Sequence, residues 1–428
     1  MHDIKLIKNN PKFFDEKLRK RNLEPRSSEI ISLHNSYLNN LSSKEKLQNK
    51  RNELTKQISI LAKNKDFDKI NTVKKTVLEL KENIQNLEEI LNKRFSEINS
   101  ILLNIPNIID DKVPSGKNAN ENITVYTKGK KRKMLFNPRN HLELGENLNL
   151  LNYKKAQKIS GSRFSILSHS FALLHRALVN FLLDIHTKEN EYEETIVPEL
   201  VKSVALEGTG QLPKFEEDLF KTSRDLWLIP TAEVCLTNLG RDSILNFDSL
   251  PLRYTSFTNC FRQEAGAAGK DTKGLIREHQ FGKVELVSVT IPEKSNQELE
   301  RMCQCVEKIL DKLELRYRKV NLCSGDIGFS SSLTFDFEVW MPGQNKFVEV
   351  SSCSNCTDFQ SRRMKMRIKN KKSNQIIFPH TLNGSGLAIG RTMVAIIENY
   401  QNFDGSINIP EALQLYMGGE KKIEKKSV

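Results

Sequence analysis

The chain has 428 residues, of which 38% are hydrophobic and 28% charged, a composition typical of a globular protein with one to three domains. No apolar run approaches the ~18 residues that a membrane span needs, and the acidic start argues against a signal or transit peptide. Seven scattered cysteines argue against a disulfide scaffold and favour a reducing cytoplasm. The net charge of +13 is compatible with a nucleic-acid partner without requiring one.

The first hundred residues carry a heptad pattern. From Ile70 to Leu91 the apolar residues follow one another at gaps of three and four, which predicts a helix with an a/d seam that continues to Ile98. An earlier helix, at roughly 29–62, carries a weaker version of the repeat. The polar segment 63–66 predicts a turn between them, so we expect an antiparallel hairpin that reaches roughly 50 Å.

Positive charge is concentrated in the same region. Residues 1–105 hold 21 basic and 14 acidic residues, so about half of the net charge lies on a quarter of the chain. Two interpretations stay open here: a solvated coiled coil in a lysine-rich sequence, or a basic arm that binds a phosphate backbone and releases counterions. Pro106 and the segment 110–116 end the helices, which predicts a first domain at 1–105 and a second at 106–428.

The second part of the chain contains a pattern of strand, flexible loop and strand. Arg262 ends the first strand, and the loop at 265–274 consists of small and charged residues. A planar guanidinium at this point suits bidentate contact with a carboxylate or a phosphate. A surface ion pair between Arg262 and Glu264 is the ordinary alternative for these residue types.

Residues 260–264 resemble motif 2 of class II aminoacyl-tRNA synthetases, and further motifs in the same order resemble those of bacterial-type seryl-tRNA synthetases. These motifs lie at 141–146, 159–164, 208–215, 231–233, 348–356 and 381–391. The resemblance covers nearly the whole chain. It implies an α+β fold, with an N-terminal antiparallel helical hairpin (a coiled coil at approximately 29–101) followed by a class II core, an antiparallel β-sheet flanked by helices.

The resemblance also implies an activity and partners. A family member joins L-serine to the AMP part of ATP, which gives seryl-adenylate and pyrophosphate. It then transfers the seryl group to the 3′-terminal adenosine of serine tRNA, and of selenocysteine tRNA where an organism has it. Residues 191–198 resemble motif 1, whose proline lies at the interface of a homodimer. The hairpin is expected to bind the long variable arm of the tRNA, and no membrane or DNA partner is expected.

Residue roles follow from the positions that match the family motifs. Arg262 is expected to bridge the α-phosphate of ATP and the serine carboxylate, and Glu349 and Arg391 complete the catalytic set. Glu285 is expected to bind the serine hydroxyl. The serine-binding set comprises Thr231, Ala232, Glu233, Arg262, Glu285, Asn383 and Ser385. The ATP-binding set comprises Arg262, Gln263, Glu264, Phe281, Glu349, Val350, Ser351, Ser352 and Arg391.

Within the ATP-binding set, Glu264 is expected to accept a hydrogen bond from the adenine amino group, and Phe281 is expected to stack on the base. Arg391 covers the other face of the base or neutralises the triphosphate. Glu349 and Ser352 are expected to hold Mg²⁺, which prefers hard oxygen ligands. The spacing of Cys353 and Cys356 invites a zinc or redox interpretation, but no second cysteine pair has metal spacing, so zinc is not expected.

Two further patterns bear on the site. Gly384, Gly386 and Gly390 resemble a dinucleotide fingerprint with one gap too long, and we interpret them as a strand-to-helix turn whose small residues let substrate approach. Lys270 and Lys273 stand where arginine is common in the motif 2 loop, which predicts looser contacts with the acceptor end of tRNA.

Three other functions fit these residues less well. A paralogue that loads a carrier protein has no need of the hairpin. A non-enzymatic RNA-binding scaffold with a decayed core has no reason to retain Arg262, Glu349 and Arg391 together. A different amino-acid substrate is disfavoured by the segment 231–233 and by Glu285, which resemble the serine pocket.

Overall fold

The computed structural model describes residues 1–267, 273–369 and 374–425. The chain divides into two compact units, Met1–Ile105 and Pro106–Val428. Among the described helices, none combines the length and the apolar composition that crossing a membrane requires.

Four helices form the first unit, all of whose residues are described. They are α1 (Ile4–Asn9), α2 (Pro11–Lys20), α3 (Ser27–Lys63) and α4 (Phe67–Asn104). A three-residue turn joins α3 to α4, and within it Lys65 adopts the left-handed conformation with φ of 57°. Asp66 caps α4 because its carboxylate accepts a hydrogen bond from the backbone N–H of Lys69. The predicted antiparallel hairpin is confirmed.

The seam of the hairpin follows the predicted heptads. The buried apolar residues of α4 at repeat positions are Ile70, Leu80, Ile84, Leu91 and Ile98. The repeat of α3 is weaker because the same register passes through Lys44 and Arg51, which are half-buried where a regular heptad has apolar residues. Lys44 Nζ lies 2.9 Å from Glu88 Oε1. Lys44, at a seam position, therefore pairs with an exposed acidic residue that flanks the seam.

The two short helices before the hairpin are not predicted by the heptad pattern. Their side chains Ile7, Phe14 and Leu18 are buried within the first unit, where α1 and α2 pack on the start of α3. Asp15 accepts hydrogen bonds from the backbone N–H of Ser27 at 3.0 Å and from its hydroxyl at 2.5 Å. These bonds satisfy donors at the N-terminus of α3.

The second unit mixes short helices with strands. Its helices are α5 (His141–Asn147), α6 (Tyr153–Ser160), α7 (His169–Lys188), α8 (Ser203–Thr209), α9 (Glu233–Asn238), α10 (Ser295–Lys312), α11 (Phe359–Met364), α12 (Ile389–Asn399) and α13 (Glu411–Gln414). Its strands are β1 (Ile123–Lys128), β2 (Glu193–Glu194), β3 (Leu200–Lys202), β4 (Leu226–Leu228), β5 (Ile244–Leu245), β6 (Leu252–Phe261), β7 (Gln280–Thr290), β8 (Tyr317–Asn321), β9 (Leu333–Met341), β10 (Lys346–Thr357), β11 (Arg367–Lys369), β12 (Ile376–Ile377), β13 (His380–Ala388), β14 (Ile407–Asn408) and β15 (Lys422–Ile423).

Within the described part of this unit, eight strands form one sheet in the order β1-β8-β9-β10-β13-β7-β6-β2. Neighbouring strands are antiparallel except at the edge, where β2 and β6 are parallel. Helices α7, α10 and α12 pack against the sheet and share its apolar core. The predicted α+β fold, an antiparallel sheet flanked by helices, is confirmed.

The four central strands bring distant residues together. Glu285 on β7 lies opposite Ser385 on β13, and Ser352 on β10 lies opposite Asp336 on β9. Residues directly opposite in an antiparallel pair have Cβ atoms about 5 Å apart. The register of the sheet, rather than nearness in sequence, therefore assembles the site.

Candidate active site

Two adjoining cavities lie on these central strands in the described structure. Both are lined by Arg262, Glu264, Lys283, Glu349 and Ser385. The first cavity also has walls from Phe281, Val350 and Arg391. The second cavity also has walls from Thr231, Glu233, Glu285, Ser352 and Asn383. Most of the predicted site residues thus meet in one continuous depression, with Arg262 at the junction.

Arg262 is held in place by backbone contacts at the end of β6. Its N–H donates to the carbonyl of His279 at 2.9 Å, and its side-chain Nε donates to the carbonyl of Pro230 at 3.3 Å. The guanidinium carbon lies 5.3 Å from the centre of the Phe281 ring. Because Nε makes the bond to the protein, the two terminal nitrogens can serve a ligand bidentately.

A buried polar cluster forms one end of the second cavity. Lys283 Nζ lies 2.5 Å from Glu285 Oε2 and donates to Thr231 Oγ1 at 2.9 Å. Burial raises the pKa of Glu285, and the charge of Lys283 opposes that shift. Lys283 was not among the predicted site residues, although its spacing of two residues from Glu285 along a strand places both side chains on one face.

Glu233 adds a second buried carboxyl group to this cavity. Its Oε1 accepts hydrogen bonds from Gln360 Nε2 at 2.7 Å and from Asn383 Nδ2 at 3.0 Å. Burial, together with the charge of Glu285, raises the pKa of Glu233 to about 7. A ligand that brings a positive group into this cavity will favour the ionised form of Glu233.

Arg391 and Glu349 form the far wall of the first cavity. Arg391 Nη1 lies 3.1 Å from Glu349 Oε2 and donates to the Glu349 backbone carbonyl at 3.0 Å. Its Nε donates to the carbonyl of Ile276 at 3.1 Å. Arg391 thus ties the first turn of α12 to β10 and to the segment before β7, which fixes the position of its guanidinium.

Glu264 does not form the surface ion pair with Arg262 that is the ordinary alternative for these residue types. Its carboxylate pairs with Arg277, and its backbone carbonyl accepts a hydrogen bond from Arg163 Nη1 at 3.2 Å. Glu264 itself adopts a left-handed conformation with φ of 54°. These contacts hold its carboxylate against the first cavity and leave the guanidinium of Arg262 facing both cavities.

A possible cation site is formed by two strands. Burial and the nearby charge of Glu349 raise the pKa of Asp336 well above its usual range, and a hydrogen bond from Ser352 opposes that shift. Within the described residues, Asp336 Oδ1 is buried and has no hydrogen-bond partner. Two carboxylates and a hydroxyl with an unsatisfied oxygen fit a hard divalent cation. Asp336 was not among the predicted site residues, because alternation along a strand does not reveal which acidic residue lies near Glu349.

Three predicted residues lie beside the cavities instead of in their walls. Ala232 is buried in the apolar core. Gln263 Nε2 donates to the carbonyl of Leu219 at 2.7 Å. Ser351 Oγ donates to the carbonyl of Ser385 at 2.5 Å. These residues support the walls through contacts with the protein.

The loop after motif 2 is described only in part. Lys270 lies outside the described residues. Lys273 Nζ lies 5.3 Å from the centre of the Tyr153 ring. Beyond the loop, Glu278 is buried beside the first cavity and accepts a hydrogen bond from Ser165, and burial raises the pKa of Glu278 to about 7.

The three glycines at the end of β13 and in α12 lie close to other atoms of the protein. A Cβ atom on Gly384, Gly386 or Gly390 would lie 2.8, 2.6 or 3.0 Å from Met302 Sδ, His186 Nε2 or the Leu275 carbonyl oxygen, respectively. Real Cβ atoms are almost never closer than 3.0 Å to such neighbours. Gly384 and Gly386 therefore admit side chains of the protein itself, whereas Gly390 also lines the first cavity. The interpretation that these glycines let substrate approach stays a prediction.

Known proteins resemble this chain along its whole length. Residues 1–109 match the seryl-tRNA synthetase N-terminal domain, and residues 214–400 match the tRNA synthetase class II core domain (G, H, P, S and T). The serine–tRNA ligase of Methylorubrum extorquens (strain PA1) is 49% identical over 424 residues, which cover 99% of each chain. This chain belongs to the seryl-tRNA synthetase family.

Solved structures of family members extend the likeness to the backbone. The seryl-tRNA synthetase of Pyrococcus horikoshii complexed with ATP is 35% identical, with a TM-score of 0.91 and coverage of 100% of both chains. The cytoplasmic serine–tRNA ligase of Naegleria fowleri in complex with AMP is 28% identical, with a TM-score of 0.88 and coverage of 100% of this chain and 99% of that one. The family resemblance predicted from the motifs is confirmed.

Proposed function

We propose that this seryl-tRNA synthetase family member is a cytoplasmic serine–tRNA ligase that activates L-serine with ATP and then esterifies the 3′-terminal adenosine of serine tRNA. One observation carries the proposal: Arg262, Glu285, Glu349 and Arg391 come from separate segments and line two adjoining cavities. Full-length similarity to serine–tRNA ligases and the ATP in the Pyrococcus structure support the choice of substrates.

In the first step, the serine carboxylate must approach the negatively charged triphosphate of ATP. A carboxylate oxygen of serine forms a bond to the α-phosphorus of ATP, and the bond to the leaving pyrophosphate breaks. Arg262, at the junction of the cavities, can bind the α-phosphate and the serine carboxylate together. Its fixed fork neutralises charge on the pentacovalent phosphorus, and positioning of this kind supplies most of the catalysis in such reactions.

The second cavity suits serine. The cluster of Thr231, Lys283 and Glu285 offers partners for a small hydroxyl group, while Glu233 and Asn383 border the same space. Alanine would leave the buried Glu285 without its substrate partner, which is costly. Ser385 lies opposite Glu285 on the neighbouring strand and leaves little space for the extra methyl group of threonine.

The first cavity suits the adenosine of ATP. Phe281 offers a flat face to the base, Arg391 lines the same cavity, and Glu264 can accept a hydrogen bond from the adenine amino group. Val350 contributes an apolar contact. Gln263 and Ser351 act indirectly, since both bind neighbouring backbone carbonyls of the wall.

Mg²⁺ is part of the proposal, with Glu349 and Ser352 as ligands and Asp336 beside them. When bound, the cation supplies positive charge to the phosphate oxygens. Burial and the nearby charge of Glu349 raise the pKa of Asp336, and a bound cation would favour its ionised form. Glu349 also holds Arg391, so the same carboxylate orients a cationic side chain toward the nucleotide.

The hairpin is proposed to select the tRNA by its long variable arm. The match of residues 1–109 to the family's N-terminal domain and the basic surplus of this unit support that role. Serine codons fall into two unrelated sets, so an anticodon alone cannot identify the tRNA. A rigid hairpin that reads shape through backbone and 2′-OH contacts avoids that difficulty. Selenocysteine tRNA is included as a substrate where the organism has it.

We also propose a homodimer through the segment that resembles motif 1. Near Pro198, the side chains of Ile196, Leu200 and Val204 are 94%, 46% and 48% exposed. Contiguous exposed apolar side chains are typical of protein interfaces. Sedimentation at micromolar concentration is expected to give a dimer, and Ile196→Glu is expected to shift it toward monomer. A wild-type monomer would contradict this part of the proposal.

ATP–pyrophosphate exchange with each of the twenty amino acids, with and without tRNA, tests the activity. Exchange with serine alone and independent of tRNA is expected, followed by charging of a tRNA with a long variable arm. Exchange with another amino acid would contradict the assignment of Glu285. Failure of the folded protein to exchange with any amino acid would contradict the proposed function itself.

A further inference from the structure

His186 is a buried histidine with no role in the chemistry proposed above. It lies near the C-terminal end of α7 and is fully enclosed, with 0% exposure. Its Nε2 is 3.2 Å from the carbonyl oxygen of Gly386 on β13, and its Nδ1 is 3.2 Å from Asn190 Nδ2. The ring therefore joins the helix before motif 1 to a strand that lines the active site.

These contacts define the tautomer of His186. The amide nitrogen of Asn190 can only donate, so Nδ1 must accept and the ring proton must reside on Nε2. Nε2–H then donates to the Gly386 carbonyl. Burial lowers the pKa of His186 to about 4, so the ring is neutral at physiological pH and keeps this arrangement.

The carbonyl that His186 holds lies in an irregular part of β13. The register between β13 and β7 shifts between Ser385 and Ala388, and Leu387 has a φ of +114°, a conformation that L-residues rarely adopt. Such a bulge persists only when its surroundings hold it in place. Ser385, at its start, lines both cavities of the proposed active site.

Hydrogen bonds hold the bulge at three carbonyl groups. Ser351 Oγ donates to Ser385 at 2.5 Å, His186 donates to Gly386, and Thr392 Oγ1 donates to Ala388 at 2.8 Å. Gly386 also packs closely against His186, since a Cβ atom at this position would lie 2.6 Å from Nε2. Among these three donors, His186 is the one contributed by α7.

We propose that His186 is a positioning residue for serine activation, which sets Ser385 in the serine pocket by donating a hydrogen bond to the Gly386 carbonyl. The inference rests on the proposed function. Ser385 adjoins the residue that His186 holds, whereas Arg391 lies five residues further on in α12. Loss of the Nε2–H donor therefore affects serine binding more than ATP binding.

Two amide variants of different length test this role. Gln places an N–H near the Nε2 position, whereas Asn is too short to reach the Gly386 carbonyl. His186→Asn is expected to raise the KM for serine in pyrophosphate exchange about tenfold, the effect of one lost buried hydrogen bond, and the KM for ATP less than threefold. His186→Gln is expected to recover most of the serine KM. His169→Gln, an exposed histidine at the start of the same helix, is the matched control and is expected to match wild type.

A second readout does not depend on activity. In hydrogen–deuterium exchange, the amides of residues 382–388 are expected to exchange faster in His186→Asn than in His186→Gln or wild type. Equal KM values in the Asn and Gln variants, or unchanged amide exchange in this segment, would overturn the inference. If wild type exchanges with no amino acid, the proposed function fails, and amide exchange still decides whether His186 holds residues 382–388 in place.

Discussion

The hairpin and the central strands differ in how their contacts relate to the sequence. In the hairpin, the turn at 64–66 determines the pairing: Lys44 and Glu88 meet because they lie about equally far from it. In the second unit, Glu233 binds Asn383, 150 residues away. The hairpin is thus defined by local sequence and contributes a long helical pair with a basic surplus. The sheet instead brings distant residues together in buried surroundings, which catalysis requires.

The largest expected effect comes from removing the hairpin. Deleting residues 28–101 and joining the ends with a short flexible linker is expected to abolish tRNA charging and to leave serine-dependent pyrophosphate exchange largely intact. The reason is that the residues lining both cavities lie beyond residue 200. Exchange and charging are measured on the same preparation. Equal loss of both activities in a folded deletion variant would contradict the separation of roles.

The opposite variant changes the site and leaves the hairpin intact. Arg262→Lys keeps the charge but loses the planar fork, so serine-dependent exchange is expected to fall by about 10²–10³-fold. Binding of tRNA, measured by filter retention, is expected to stay unchanged. Arg224→Lys, at an exposed position, is the matched control. Wild-type exchange in Arg262→Lys would exclude bidentate contact as the source of catalysis.

A smaller effect is expected from pH. The pKa of Glu233, raised by burial to about 7, falls when the serine ammonium group binds, because a positive charge favours the ionised carboxylate. Serine binding therefore releases a proton, and the KM for serine is expected to be about tenfold higher at pH 6 than at pH 8. Glu233→Gln removes this titration, so its KM profile is expected to be flatter. An identical profile in both proteins would assign the titration to another group.

The last prediction concerns the stability of the hairpin. Leu91→Ala removes a side chain that is 6% exposed in the seam, at a cost of about 2–3 kcal/mol, whereas Ile90→Ala changes a neighbour that is 43% exposed and is expected to cost under about 0.5 kcal/mol. Chemical denaturation followed by circular dichroism measures both. Equal losses would mean that the heptad register does not determine which face of α4 is buried.

The heptad pattern predicted the hairpin closely. Gaps of three and four keep apolar residues on one face of a helix, and the polar residues before Asp66 favour a turn, so both signals are local. The two short helices before it carry too few turns to show such a period, and only the structure revealed them. The motifs also predicted Arg262, Glu285 and Arg391 as site residues. A resemblance to a family carries information on three-dimensional structure that spacing along the chain does not.

Tertiary structure alone decided the partners of those residues. Asp336 and His186 gain their importance from the register of β9 and from the contact of α7 with β13, which no spacing in the chain encodes. The same holds for the raised pKa of Glu233, since burial and the charge of Glu285 cause it. A hydrophobic repeat can be recognised from residues that are close in sequence. Desolvation and charge coupling depend instead on atoms that come together from distant parts of the chain.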